Sequence, residues 1–140
     1  ARRADLEMTP FATRTELESY VDATAGGVMR LAAACCGGDG AADETLIAIA
    51  AQRWGVAGIL RSEKFWRSRG RNLVPADTST GALLAALKNL PKQIVPAQLF
   101  PALGYAALLP AYIRAGGVRS EAPLLERQLR LVASSATGRV

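Results

Sequence analysis

Histidine is missing from all 140 residues. With it go the His-based zinc sites and the His-dependent catalytic triads. Cysteine occurs at only two positions, the adjacent Cys35 and Cys36. Neighbouring cysteines rarely meet disulfide geometry, and no third thiol exists to pair with either. They read as small buried residues at a helix end in a reducing compartment. Aromatic residues make up 6% of the chain and do not alternate with the basic ones as a base-stacking platform would. Nucleic acid is therefore not an expected partner. No run approaches the roughly 18 apolar residues of a membrane span, and no secretory pattern opens the sequence. Runs of β-branched residues are scarce, which argues against a sheet protein.

What is abundant is alanine and leucine, the better helix formers, within a composition that is 50% hydrophobic and 21% charged. That balance suits one folded all-α domain and not a disordered chain. The formal net charge is +5, which favours anionic partners: phosphates, acidic lipid surfaces or acidic proteins.

Along the chain, residues 1–12 read as a loop closed by Pro10 and Phe11. Thr13 with Glu16 fits a capping box, and Thr15 with Glu18 fits a second register. Leu17, Val21, Thr24, Val28, Leu31 and Cys35 then recur at helical spacing, up to a stop at Gly37 and Gly38. Gly26 and Gly27 interrupt this helix, as room either for a tight helix crossing or for a ligand chain. A second long helix is expected from about Ala41 to Arg69. Its acidic residues, Asp43 and Glu44, lie in the first turn and its basic ones near the end, both matched to the helix dipole. Gly55 and Gly58 thin one of its faces. A short helix from about Gly81 to Leu90 ends at Pro91. The apolar segment from Ala97 to Ile113 contains Pro101 and Pro110 and should be a kinked or broken helix in the interior. The last helix is expected to start at Ser120 with Pro123 in its first turn. Five helices, two of them long, make a bundle.

The densest cationic run is LRSEKFWRSRGRNLVP, from Leu60 to Pro75, in which Arg61, Lys64, Arg67, Arg69 and Arg71 surround Glu63. The plain account is a solvated, dipole-matched helix end. The functional account is an anion site of Arg61, Lys64, Arg69 and Arg71. Trp54, Trp66 and Tyr20 read as core aromatics or as pocket residues.

Two stretches carry a family resemblance. TELESYVDATAGGVMRL resembles the Tyr-bearing helix of squalene and phytoene synthases, with its Ala-Gly-x-Val step. GVAGILRSEKFWRSRGRNLVPAD resembles the family's next helix, where Ile59, Arg61, Arg69, Gly70, Arg71 and Pro75 match. The resemblance runs from about residue 1 to 115. It implies an isoprenoid-synthase-type helix bundle, of which residues 1–140 would be the C-terminal half. In that family two carboxylate-rich motifs hold magnesium, a hard cation that prefers oxygen ligands and substrate phosphates. The metal neutralises the diphosphate as it leaves. The family's metal-side positions fall here on Gly55, Gly58, Ser62 and Trp66, spaced three, four and four apart on one side of a helix. None is a carboxylate, and Glu63 is rotated roughly 100° from Ser62.

A cluster of cations can attract a diphosphate or an acidic headgroup without acids, but it cannot build a magnesium site on this helix. In this loss the chain is similar to a carboxylate-depleted branch that includes mitochondrial complex I assembly factors and α-proteobacterial proteins. The resemblance implies a non-catalytic protein without cofactor. It would bind an anionic lipid or prenyl diphosphate through Arg61, Lys64, Arg69 and Arg71, beside a pocket of Tyr20, Gly26, Gly55, Gly58 and Ser62. A role in respiratory complex assembly follows from the same likeness. So do a protein partner or a second copy, and a place in a bacterial cytoplasm, at an inner membrane or in the mitochondrial matrix. The alternative is a head-to-head prenyl diphosphate transferase of isoprenoid biosynthesis. Its Mg2+ would then rest mainly on a motif lying before Ala1.

Overall fold

The computed structural model describes residues 11–114 and 117–140. The protein is an all-α helix bundle. Helix α1 (Arg14–Val21) runs through a π-helical turn (Asp22–Gly26) into α2 (Gly27–Cys35). Helix α3 (Glu44–Arg67) lies against this rod, and α4 (Thr80–Asn89) packs on α3. Then α5 (Phe100–Leu103) and α6 (Leu109–Tyr112) stand among 3-10 turns. A two-residue hairpin, β1 (Ile113–Arg114) with β2 (Gly117–Val118), leads to α7 (Leu124–Thr137).

Local chemistry sets most boundaries. The Thr13 hydroxyl accepts from the Glu16 amide, and the Glu16 carboxylate accepts from Ala12 N at 2.8 Å, one residue before the cap, a displaced form of the expected capping box. The second register is not used, because Glu18 pairs with Arg14 instead. Asp77 adds a third acceptor, taking the Arg14 amide, and Phe11 is pinned through its carbonyl by Ala76 N. Gly38 N reaches back to Ala33 O at 2.9 Å to close α2. Ser79 caps α4 by accepting from Ala82 N. The prolines break the apolar segment as expected, since Pro101 and Pro110 each sit in the first turn of a short helix. This segment is interior, for Leu99, Leu103, Leu108 and Tyr112 are almost fully buried. The last helix starts later than expected. Pro123 is its cap residue, and Ser120 belongs to the loop before it. At the chain end, residues 138–140 pair with 93–95 through Gln93–Val140 and Val95–Gly138 bonds.

The π turn overturns one expectation. A π turn inserts one residue, which rotates everything after it by roughly 100°. The buried face therefore moves from Leu17 and Val21 to Gly26, Met29 and Ala33. Val28 and Leu31, in the expected inner stripe, are 65% and 69% exposed. Cys35 is exposed, and Cys36 is half-buried at the edge of the core, so neither is the buried residue expected. Within the turn the Thr24 hydroxyl donates to Tyr20 O at 2.7 Å, and Arg30 Nη1 donates to Asp22 O. These side chains satisfy carbonyls that the wider turn loosens.

Arg30 also bridges Asp22 and Glu44, at 2.6 Å each. It thereby ties the π turn to the start of α3. The hydrogen bond from Arg30 holds the Glu44 carboxyl below its usual range. Because the folded value is depressed, the pair stabilises the fold above the ordinary carboxylate range. That contribution is lost as pH falls through the depressed value. Acid unfolding followed by circular dichroism should therefore show wild type above Glu44→Gln in stability near neutral pH, with the two curves converging in acid.

The rod and α3 meet at small residues. A Cβ on Gly55 would lie 2.5 Å from Val21 Cγ1, and one on Gly26 would lie 3.0 Å from both Arg30 Nη1 and Asp22 Oδ1. Gly55→Ala should lower the melting temperature, because overpacking of about 1–3 kcal/mol exceeds the roughly 1 kcal/mol gained in helix propensity. Thermal unfolding measures the sign directly.

Candidate functional site

Beyond this crossing the rod, α3 and the segment around α5 diverge around a cleft of about 750 Å3. Its size is that of an ordinary small-molecule site. Tyr20, Thr24, Ser62, Arg71 and Tyr105 supply the polar groups, and the remaining lining is largely apolar. Trp54 and Trp66 both line it and are separated by about 18 Å of helix. Phe11, 5.2 Å from the Tyr20 ring, closes the end near Arg71. Met29, Ala32 and Ala102 line the part toward Trp54, which is apolar apart from Tyr105 packed on that ring. The cleft thus has a polar end and a greasy end, long enough for an extended acyl or prenyl chain.

The four positions selected by spacing, Gly55, Gly58, Ser62 and Trp66, all line this cleft. Their roles differ. Gly55 serves the helix crossing. Gly58 has nothing within 4 Å of where its Cβ would stand. A glycine inside a helix costs about 1 kcal/mol relative to alanine. At Gly58 no neighbour requires that cost; only the open space in front of it benefits. Gly26 does not line the cleft and belongs to the crossing.

The basic cluster is divided by the fold. Arg71 alone of its members lines the cleft. Gly70, at φ +74°, turns the chain left-handed so that Arg71 N can reach back to Trp66 O at 3.0 Å. The same turn folds the Arg71 side chain inward, to 8% exposure, with its guanidinium 5.2 Å from the Trp66 ring. Arg61 is used otherwise. Its guanidinium lies 3.9 Å over the Tyr112 ring, and its Nε donates to Ser120 O at 3.0 Å. It braces α3 against α6 and the loop before α7, which is why it does not face the cleft. Lys64 is exposed and does not line the cleft. Arg69 stacks at 3.6 Å on exposed Phe65 and donates to Phe65 O at the end of α3.

Glu63 does not turn toward the cleft either. It accepts from Thr80 and pairs with Arg67 at 2.9 Å, on the α4 side of the helix. No carboxylate occurs among the described residues that line the cleft. Among the described residues, no three His, Cys, Asp or Glu side chains gather as a metal site would need. Of the described helices, none is long and apolar enough to cross a membrane. Sequence reading missed Thr24, Met29 and Tyr105 as lining residues. Thr24 lies on the expected inner stripe but was not singled out, Met29 reaches the cleft through the register change of the π turn, and Tyr105 through the proline breaks.

Compared with protein-family models, curated proteins and solved structures, the chain matches none.

The division of the cations has a measurable consequence. Arg61→Gln should destabilise the fold by about 1–2 kcal/mol through the lost ring contact and hydrogen bond. Lys64→Gln should be neutral within about 0.5 kcal/mol. Denaturant titration of both variants checks the contrast.

Proposed function

We propose that the chain is a carboxylate-depleted relative of the squalene and phytoene synthases that holds an anionic amphiphile without transforming it. The ligand has an apolar prenyl or acyl tail and a phosphate or diphosphate head. The setting is that of an accessory factor in membrane-complex assembly, as the resemblance implies. The observation that carries this reading is Gly58, a glycine that costs helix stability, meets no neighbour and opens onto an apolar cleft. Arg71 supports it from the other end. A guanidinium presents a planar fork of donors suited to phosphate oxygens and keeps its charge when partly desolvated. The tail contributes by leaving water along the Trp54–Trp66 wall. Magnesium would have to be held by carboxylates, and the described lining offers only hydroxyls, an arginine and rings.

Both tryptophans of the chain line the cleft, so intrinsic fluorescence reports its filling. Farnesyl diphosphate, titrated below its micelle concentration, should change that fluorescence saturably and equally with magnesium or EDTA. Gly58→Ala should bind and melt about 1 kcal/mol more stably. Gly58→Phe should stay folded and lose binding. Arg71→Gln should weaken binding roughly tenfold or more, as expected for loss of a charge-assisted hydrogen bond. Full binding by Gly58→Phe, or magnesium-dependent release of pyrophosphate above background, would overturn the proposal.

A further inference from the structure

The mouth of the cleft carries an apolar rim that the proposed ligand does not account for. Val28 and Tyr105 line the cleft yet are 65% and 51% exposed. Leu31, one turn beyond Val28, is 69% exposed. On the opposite edge Phe65 is 51% exposed, packs edge-on against Trp66 of the cleft wall, and carries the Arg69 guanidinium on its face. The π turn creates half of this rim. By sequence spacing Val28 and Leu31 belong to the inner stripe, and the inserted residue turns them outward.

Two of the elements beside the cleft lack acidic charge, and on the α1–π segment Glu18 is paired with Arg14 and Asp22 with Arg30. Helix α2 and the segment from Ala97 to Tyr112 contain no acidic residue. The second half of α3 contains only Glu63, which Arg67 and Thr80 occupy. Arg61, Lys64, Arg67, Arg69 and Arg71 lie on or just after that half.

We infer that this rim is a docking face for an anionic lipid bilayer. Val28, Leu31, Phe65 and Tyr105 would sink into the headgroup boundary, and Arg69, stacked on Phe65, would meet acidic headgroups. The inference rests in part on reading the cleft as an amphiphile site, because the rim surrounds its entrance. A bilayer explains both parts of the surface together. Exposed apolar side chains flanked by cations are what interfacial binding uses, and a phenyl ring topped by an arginine suits the boundary between tails and headgroups. A ligand with a long tail resides in the bilayer and would enter the cleft without crossing water.

The test separates the face from the cleft. In flotation with phosphatidylcholine vesicles containing phosphatidylserine, the full chain should float. It should bind pure phosphatidylcholine much less, and binding should fall as salt is raised. Leu31→Ser combined with Phe65→Ser should reduce vesicle binding on the order of tenfold. Its affinity for soluble farnesyl diphosphate, measured by calorimetry because Phe65 packs on the fluorescent Trp66, should stay within about twofold of wild type, since neither residue lines the cleft. Gly58→Phe should do the reverse, floating normally while losing the soluble ligand. Failure of the wild type to float, or equal flotation by the double variant, would overturn the docking face while leaving the cleft reading to its own titration. A wild-type dimer in solution that the double variant converts to monomer would also overturn it, in favour of a second copy of the chain.

Discussion

Everything about the site depends on how closely the α1–α2 rod can approach α3. Gly55 accepts Val21, and Gly26 lies against Ala51 and the Asp22–Arg30 pair, so the two helices meet nearly backbone to backbone at one place. Fixed there, they separate further along, and α5 and its flanking turns do not fill the gap. The π turn belongs to the same constraint, because it changes which face of the rod continues past the crossing. Arg30 holds that turn in place by bridging to Glu44. A cavity beside a tight crossing is a predictable product of this geometry. Interiors are otherwise close-packed, and a gap lined by apolar atoms is normally removed by a larger side chain. At Gly58 that has not happened.

The electrostatics follow the same division. A cationic run at a helix end is expected from the dipole alone. The fold then distributes the run by direction: Arg61 to Tyr112 and Ser120, Arg67 to Glu63, Arg69 to Phe65, and Arg71 to the cleft. One buried guanidinium at the end of an apolar channel is a more selective arrangement than several exposed ones, since water and salt screen the latter. The acids lie elsewhere, with Glu63 turned to α4 and Asp22 and Glu44 turned to Arg30.

The elements were legible because their signals are local. Thr13 and Glu16, Pro91 and the prolines at 101 and 110 act within a turn or two of themselves, and the structure uses each of them. The single side shared by Gly55, Gly58, Ser62 and Trp66 was legible for the same reason, since α3 is regular between them. What the sequence could not disclose was long-range or irregular. Gly55 and Gly58 are the same letter three residues apart, and only the position of Val21 separates a packing glycine from an open one. Arg61 finds Tyr112 across the bundle. The π turn leaves no composition signature, yet it moves Val28 and Leu31 from the expected interior to the rim. The inward turn of Arg71 depends on the left-handed backbone at Gly70, beyond the end of the helical pattern.

The most direct measurement is a crystal structure of the chain grown with farnesyl diphosphate and magnesium. The account predicts the prenyl tail lying past Gly58 between Trp54 and Met29, with the diphosphate oxygens on Arg71 and no carboxylate of this chain coordinating a cation there. A cleft left empty at saturating ligand, or a diphosphate anchored through magnesium on Glu63, would contradict it.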